Sequence, residues 1–381
     1  MKRTIPFTFY FMYYAAAAFM MPFVVLYYQH LGFTGAQIGL LAGMAPLLTL
    51  IGAPLWAGIA DATRRHRLMM SLAIAVAVVS GLIFPTLKTF GAVIVAVILT
   101  FFFAAPIVSF ADSATMSMLG DAKDLYGRVR IGGTIGWGIA ALIAGILIQA
   151  YGLKMAFWGY AALMFMVLIV SLGFVHNKSG DHLSFGGNLR SLLTDHHWML
   201  FLALALLCGV GLASINYYLL PYLKELRASE TMMGVALTIA TLSELPVLFF
   251  ADRLIRLFKA NGLLMLGMAI TAIRLLLFAT FNSVGGILAI QILQGLTFPV
   301  VWVAGVSYAN EKAPPGMGAT AQGLFGAMIF GFGAAVGGFI GGFLLDSLGS
   351  RGMYVIFGTI MLAGLGIVTL IERRLPVEQH D

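Results

Sequence analysis

The chain has 381 residues, 61% of them hydrophobic and only 10% charged. That balance excludes a soluble globular domain, in which roughly 25% of residues are charged. The formal charge of +7 invites a nucleic-acid partner, but the basic residues sort by loop, which is the signature of membrane orientation rather than of nucleic-acid binding.

The apolar residues fall into runs of about 20, long enough to cross a bilayer as helices. The first, Pro6 to Tyr28, follows Lys2 and Arg3. Its Ala15–Ala18 patch imitates a signal-peptidase site, yet the apolar stretch runs too far for a signal peptide, so it reads as a retained span. Twelve spans are expected: 5–28, 35–60, 67–86, 90–118, 131–151, 154–175, 198–222, 231–251, 261–281, 284–308, 318–345 and 352–371. With alternate loops on alternate sides, one side holds sixteen basic residues, from Lys2 and Arg3 through Arg64, Arg65, Arg128 and Arg130 to Arg373 and Arg374. The other holds five: Lys88, Lys154, Lys224, Arg227 and Arg351. The asymmetry places both termini in the cytoplasm, in a multi-pass protein of the bacterial plasma membrane. Arg274 is left over, inside the ninth span.

The longest polar segment, His176 to His197, divides the chain. The expected organisation is an N-terminal six-helix bundle (1–175), a cytoplasmic linker (176–197) and a C-terminal six-helix bundle (198–381). The halves echo each other. Pro54 to Asp61 followed by Arg64 and Arg65 recurs as Pro246 to Asp252 with Arg253 and Arg256. Tyr151, Gly152 and Lys154 are matched by Leu348, Gly349 and Arg351, so the offsets are about 190 and 197 residues. The fold class is therefore an all-α membrane protein of twelve helices in two pseudo-symmetric bundles. Parallel half-repeats with a substrate near the midplane form a transporter architecture. Glycines crowd spans 5 and 11, where small residues at spacings of three and four allow close helix approach.

The single cysteine, Cys208, lies in an apolar run, and zinc spacings are absent, so neither a disulfide framework nor a metal cofactor is expected. No phosphate-binding GxxxxGK[ST] occurs, which argues against ATP-driven transport by this chain. No loop is long enough for an extramembrane receptor or scaffold domain, and an enzyme is not expected. The expected partners are the lipid bilayer and a small-molecule substrate, with no nucleic acid and a monomeric chain.

The stretch Tyr126 to Trp137 is a charged turn entering a glycine-rich helix. Arg130, Thr134 and Trp137 sit at i, i+4 and i+7, within roughly 60° of one another on one face. They form either one wall of a binding site or a topology anchor, a packing threonine and an interfacial tryptophan. Glu244 stands well inside span 8. An ionisable group there costs about 2.5 kcal/mol or more, so it should face the bundle interior or a cavity. A carboxyl that is alternately wet and dry suits reversible proton uptake. Arg274 lies about 21 Å in from its loop and Glu244 about 12 Å in from its own, by helical rise, which puts a direct pair out of reach without tilt. Tyr217, Tyr218 and Gln291 are candidate partners for Arg274.

The loop motifs Ala60-Asp61 with Arg64-Arg65, and Ala251-Asp252-Arg253, resemble the loop signature of the major facilitator superfamily, with a degenerate first copy in which Ala62 and Arg64 depart from the pattern. The resemblance covers the whole chain. Within that superfamily, Tyr126 to Trp137 looks like the lactose-permease and nucleoside-symporter branch. The resemblance implies that Arg130 pairs with a helix-4 carboxylate eighteen residues earlier, Asp112, and that Trp137 stacks on a ring of the substrate. It also implies Glu244 as the shared helix-8 glutamate and Arg274 as the functional helix-9 arginine. Helix 10 departs from the permease: Gln294 stands for its histidine and Thr297 for its protonating glutamate. With Trp302, this helix looks more like phenylpropionate-permease-like members.

The expected function is secondary active transport, a proton-coupled symporter importing a sugar or glycoside, or a nucleoside or aromatic acid, by alternating access. The proton is the coupling ion. The expected substrate-binding residues are Asp112, Arg130, Thr134, Trp137, Asn216, Glu244, Gln294 and Trp302. Glu244, Asp112 and Arg274 are expected in proton coupling, and Asp61, Asp252 and Arg253 as cytoplasmic gate contacts. The alternative is an exporter of amphipathic compounds, which the many methionines and phenylalanines in the spans would suit.

Overall fold

The computed structural model describes residues 4–120, 122, 125–174, 192, 194–314 and 317–372. Among these the secondary structure is helical throughout, and apolar membrane-length helices account for nearly all of it. Helices α1 (Thr4–Met20), α2 (Val24–His30), α3 (Gly35–Thr63), α4 (His66–Ile83), α5 (Phe90–Ala104), α6 (Ile107–Leu119), α7 (Tyr126–Tyr151) and α8 (Lys154–Ser171) come first. Then follow α9 (His196–Glu225), α10 (Glu230–Phe249), α11 (Ala251–Phe258), α12 (Ala260–Thr280), α13 (Val284–Ile290), α14 (Phe298–Lys312), α15 (Gly318–Gly326) and α16 (Ala334–Glu372).

Eleven stretches are long and apolar enough to cross a membrane, the last being the 54 residues Gly318–Ile371. At 1.5 Å per residue that is about 80 Å, more than twice a hydrocarbon core of about 30 Å. Its division falls at Gly349, whose φ of 68° and ψ of 176° break the helix. This backbone conformation is essentially open only to glycine, and the eleventh stretch thereby supplies the last two of the twelve expected spans. The segment 176–190, which holds most of the expected linker, lies outside the described residues.

Several spans are interrupted, and each interruption has a local cause. Pro106 separates α5 from α6, because its ring excludes the preceding turn's hydrogen bond. In span 10, α13 gives way to a 3-10 segment, Gln291–Leu296, and α14 restarts with Pro299 in its first turn. A π-helical turn, Ala327–Gly333, joins α15 to α16. Side-chain caps mark a few starts: Thr34 and Gln37 form a reciprocal capping box at α3, and Thr89 and Ser283 accept from the first turns of α5 and α13.

The chain packs as two compact units, Met1–Asp181 with Tyr217–Leu242, and His182–Asn216 with Ser243–Asp381. The division by packing therefore runs through α9 and α10, whereas the sequence repeat divides the chain at 176–197. In the first unit, α7 lies against α1 through Gly132, Gly133 and Gly136. A Cβ on Gly136 would meet the Phe11 carbonyl oxygen at 2.2 Å, and one on Gly133 would meet the Tyr14 ring at 2.5 Å. Further along α7, Gly145 faces the Glu230 carbonyl and the Gly234 backbone of α10, and Thr238 Oγ1 donates to the Gly138 carbonyl at 2.9 Å. These small residues hold 217–242 on the first unit, because backbones can close only where no side chain intervenes. In the second unit, Gly209 and Gly333 make the corresponding close approach between α9 and the π-helical turn.

Candidate functional site

Two polar networks stand out against the apolar helices, a half-buried one in the first unit and a more deeply buried one in the second. The first is built on α1, α6 and α7. The helix α7 begins at Tyr126 rather than at 131, so Arg130 lies in its second turn and not in a loop. Asp112 lies in α6, seven residues before its end at Leu119. Arg130 Nη1 donates to both carboxylate oxygens of Asp112, each at 2.9 Å, and to the Tyr126 hydroxyl at 2.5 Å. Its Nη2 donates to the Tyr14 hydroxyl at 3.3 Å. The Tyr10 hydroxyl donates to Asp112 Oδ1 at 2.5 Å and lies 3.3 Å from Thr115 Oγ1. The guanidinium also sits 5.7 Å and 5.9 Å from the ring centres of Tyr10 and Tyr126, within range of a cation–π contact.

This geometry follows from the glycines. With no side chains at 132, 133 and 136, α1 approaches α7 closely enough for Tyr10 and Tyr14, one turn apart, to reach the charged pair. The pair keeps access to solvent, with side-chain exposures of 32% for Asp112 and 38% for Arg130. An incoming hydroxyl or ring could therefore exchange with the tyrosines. Thr134 and Trp137 share this face of α7 and are likewise half-buried, while the intervening Gly132, Gly133 and Gly136 are buried. Trp137 lies about 10 Å further along the helix than Arg130.

The second network belongs to α10, α12 and the 3-10 segment. Gly295 makes the closest approach: its N–H donates to Ser243 Oγ at 2.9 Å, and a Cβ there would stand 2.0 Å from the Ser243 carbonyl oxygen. That contact brings Gln294 beside Glu244, and Gln294 Nε2 donates to Glu244 Oε1 at 2.9 Å. On the other side, Arg274 Nη1 donates to Gln294 Oε1 and, at 3.3 Å, to Thr297 Oγ1, while Nη2 donates to Gln291 Oε1. A guanidinium can only donate, so it turns the Gln294 oxygen toward itself and leaves the amino group for Glu244. Arg274 is fully buried and lies 5.3 Å from the Phe278 ring centre. Its Nε has no hydrogen-bond partner among the described residues. Arg274 and Glu244 are thus joined through an amide rather than paired directly. The 3-10 geometry of 291–296 presents Gln291, Gln294 and Thr297 toward Arg274, as non-helical backbone in a span does where it serves polar groups.

The remaining expected residues are placed apart from these networks. Asn216 is exposed on α9 between buried Ile215 and half-buried Tyr217. Trp302 packs with Phe325 and Phe330, at ring-centre distances of 5.6 Å and 5.3 Å. Asp61 is exposed and bonds His66 Nε2 at 2.8 Å across the turn that ends α3. Asp252 and Arg253 are exposed on the short helix α11. Of the expected partners of Arg274, the structure supplies Gln291. Tyr10, Tyr14 and Thr115 were not singled out by sequence; they join the network only through the close approach of α1 to α7.

The helical fold of membrane-length spans, with a charged network inside each unit, is that of a multi-pass membrane protein. The model of the MFS_1 like family matches residues 7–356, so the chain belongs to that family, within the major facilitator superfamily. The maltose permease of Geobacillus stearothermophilus is 26% identical over 376 residues, 98% of this chain and 95% of that protein. The uncharacterized transporter YwbF of Bacillus subtilis (strain 168) is 24% identical, with 92% and 88% covered. Among solved structures, the nucleoside transporter NupG superposes with a TM-score of 0.86 at 17% identity, covering 97% of this chain and 99% of that one. That likeness concerns the fold. These proteins are membrane transporters, and the chain is a transporter rather than an enzyme.

Proposed function

We propose that this transporter is a proton-coupled symporter importing a small polar, ring-bearing solute by alternating access, a sugar or glycoside before a nucleoside or aromatic acid. The observation that carries the reading is Glu244, a carboxyl inside a span whose amide neighbour, Gln294, keeps Arg274 from pairing with it directly. A carboxyl so placed is able to exchange a proton without first breaking a salt bridge. Thr297, where the lactose permease that this chain resembles has its protonating glutamate, leaves Glu244 as the acidic group of this network.

In the proposed cycle Glu244 takes up a proton, the solute binds, and both are released on the other face before the empty carrier returns. Asp112 gives up the hydrogen bond it accepts from Tyr10, and Arg130 those it donates to Tyr14 and Tyr126, for solute hydroxyls, with Thr134 beside them and Trp137 stacking on the ring. Gln294 and Asn216 supply further polar contacts, and Trp302 an aromatic one. Arg274 holds Gln294 in place and tunes Glu244, while Asp112 contributes to coupling. Asp61, Asp252 and Arg253 serve as gate contacts on the cytoplasmic side, where both termini lie, in a bacterial plasma membrane. The name of the maltose permease supports the sugar class, and that of NupG keeps nucleosides next.

The reading is tested by thermal unfolding of the purified chain against maltose and other disaccharides, nucleosides and aromatic acids, followed by counterflow in proteoliposomes. A solute at 100 times its Kd stabilises by about 2.7 kcal/mol. Stabilisation and counterflow with one of these classes are the expected result. Stabilisation only by amphipathic compounds, with extrusion from loaded vesicles, would replace the reading with that of an exporter.

A further inference from the structure

One face of α7 is used by neither network. Ile131, Ile135, Ile139, Ile143 and Ile146 recur at spacings of three and four, and each is exposed, from 39% to 51%. They form a single ridge about 22 Å long by helical rise, most of a hydrocarbon thickness of about 30 Å. Gly132 and Gly136 turn to α1 and Gly138 and Gly145 to α10, so the ridge is the face left for acyl chains. Arg128 continues it one turn beyond Ile131, where the hydrocarbon gives way to headgroups, and is itself exposed.

At that end lies a groove of about 330 Å³ lined by Thr4, Phe7 and Thr8 of α1 and by Leu125, Arg128 and Val129. Arg130 is committed to Asp112, whereas Arg128 has no carboxylate within ion-pair distance among the described residues. The lining is one cation and two hydroxyl side chains over apolar walls. Its volume suits a glycerophosphate headgroup but not two acyl chains as well, and these have the isoleucine ridge.

We infer that this groove is a binding site for an anionic phospholipid. The phosphate sits on the Arg128 guanidinium with the Thr4 and Thr8 side chains lining its surroundings, and the acyl chains follow the isoleucine ridge of α7. Charge complementarity selects the headgroup, since a guanidinium matches phosphate geometry and is weakly hydrated. A zwitterionic lipid offers the same phosphate together with a cation that Arg128 repels.

The test is native mass spectrometry of the full chain released from micelles holding equal amounts of phosphatidylglycerol and phosphatidylcholine. The expected result is preferential retention of one phosphatidylglycerol. Arg128→Gln should weaken that retention about fivefold, the effect of one basic side chain at a membrane surface. Arg128→Lys should keep most of the preference for anionic lipid, and Arg65→Gln, which removes an exposed charge elsewhere, should leave it intact. Equal retention of the two lipids by the unaltered chain would overturn the inference, as would equal losses in Arg65→Gln and Arg128→Gln. Binding of inorganic phosphate to the lipid-free chain that Arg128→Gln abolishes, with no preference for phosphatidylglycerol, would overturn it too, by assigning the groove to free phosphate. Because Arg128 is exposed, its variants are expected to fold, and their unfolding temperature checks that they do.

Discussion

Replacing Arg130 by Gln removes the centre of the first network, and the cost follows from its contacts. The guanidinium donates to both oxygens of Asp112 and to the hydroxyls of Tyr126 and Tyr14. Hydrogen bonds to charged groups contribute about 1.5–3 kcal/mol each when buried, but these side chains are about a third exposed and screened in proportion. The expected loss for Arg130→Gln is therefore about 2–4 kcal/mol rather than the full sum. Asp112→Asn should cost somewhat less, because the Tyr10 hydroxyl can still donate to the remaining carbonyl oxygen. In the double variant neither charge is orphaned, so its loss should fall short of the sum of the singles by about 1–2 kcal/mol. Thermal unfolding in a fixed detergent measures all three, and the stabilisation of each by solute is read in the same scans. A coupling below about 0.5 kcal/mol would show that the pair is an ordinary exposed contact. Undiminished stabilisation by solute in both single variants would show that the network braces α1 against α7 and does not bind.

Four further outcomes are expected. Gly136→Ala drives a methyl group against the Phe11 carbonyl and should lower stability by about 1–3 kcal/mol. By contrast, Gly323→Ala, with open space around it, should be neutral or stabilising by up to about 1 kcal/mol. Gly349→Ala forces a side chain onto φ 68° and ψ 176°, at a cost of about 1–3 kcal/mol read as a lower unfolding temperature. Gln291→Leu removes an acceptor from the fully buried Arg274 and should destabilise by about 1–3 kcal/mol, whereas Gln291→Glu should fold and retain the contact.

Span number and type were legible because hydropathy over about 20 residues is a strong signal and the backbone has few alternatives in lipid. The end of a span is a weaker signal. Charges at Arg128 and Arg130 make the start of α7 look like a loop, yet Arg130 lies inside the helix because Asp112 and three tyrosines satisfy it there. The spacing that paired Asp112 with Arg130 was readable through the family resemblance, and the structure brings the two side chains together. Tyr10 and Tyr14 were not found, since their role depends on how closely α1 approaches Gly133, a tertiary distance that no local pattern encodes. The amide bridge was hidden for a similar reason. Helical rise separates Glu244 from Arg274, and only the 3-10 turn at 291–296 puts Gln294 between them. The packing of Trp302 on Phe325 and Phe330 is a tertiary contact of the same kind, which the sequence did not show.

The central claim is that Glu244 carries the coupling proton while solute passes. The most direct measurement is accumulation of the solute found by unfolding scans, in proteoliposomes with and without an inward pH gradient, for the unaltered chain and for Glu244→Gln. The account predicts accumulation only with the gradient in the unaltered chain. Glu244→Gln, folded to the same unfolding temperature within a few degrees, should exchange solute by counterflow yet fail to accumulate it. Gradient-driven accumulation that persists in Glu244→Gln would contradict the assignment, and uptake by the unaltered chain that ignores the gradient would contradict proton coupling itself.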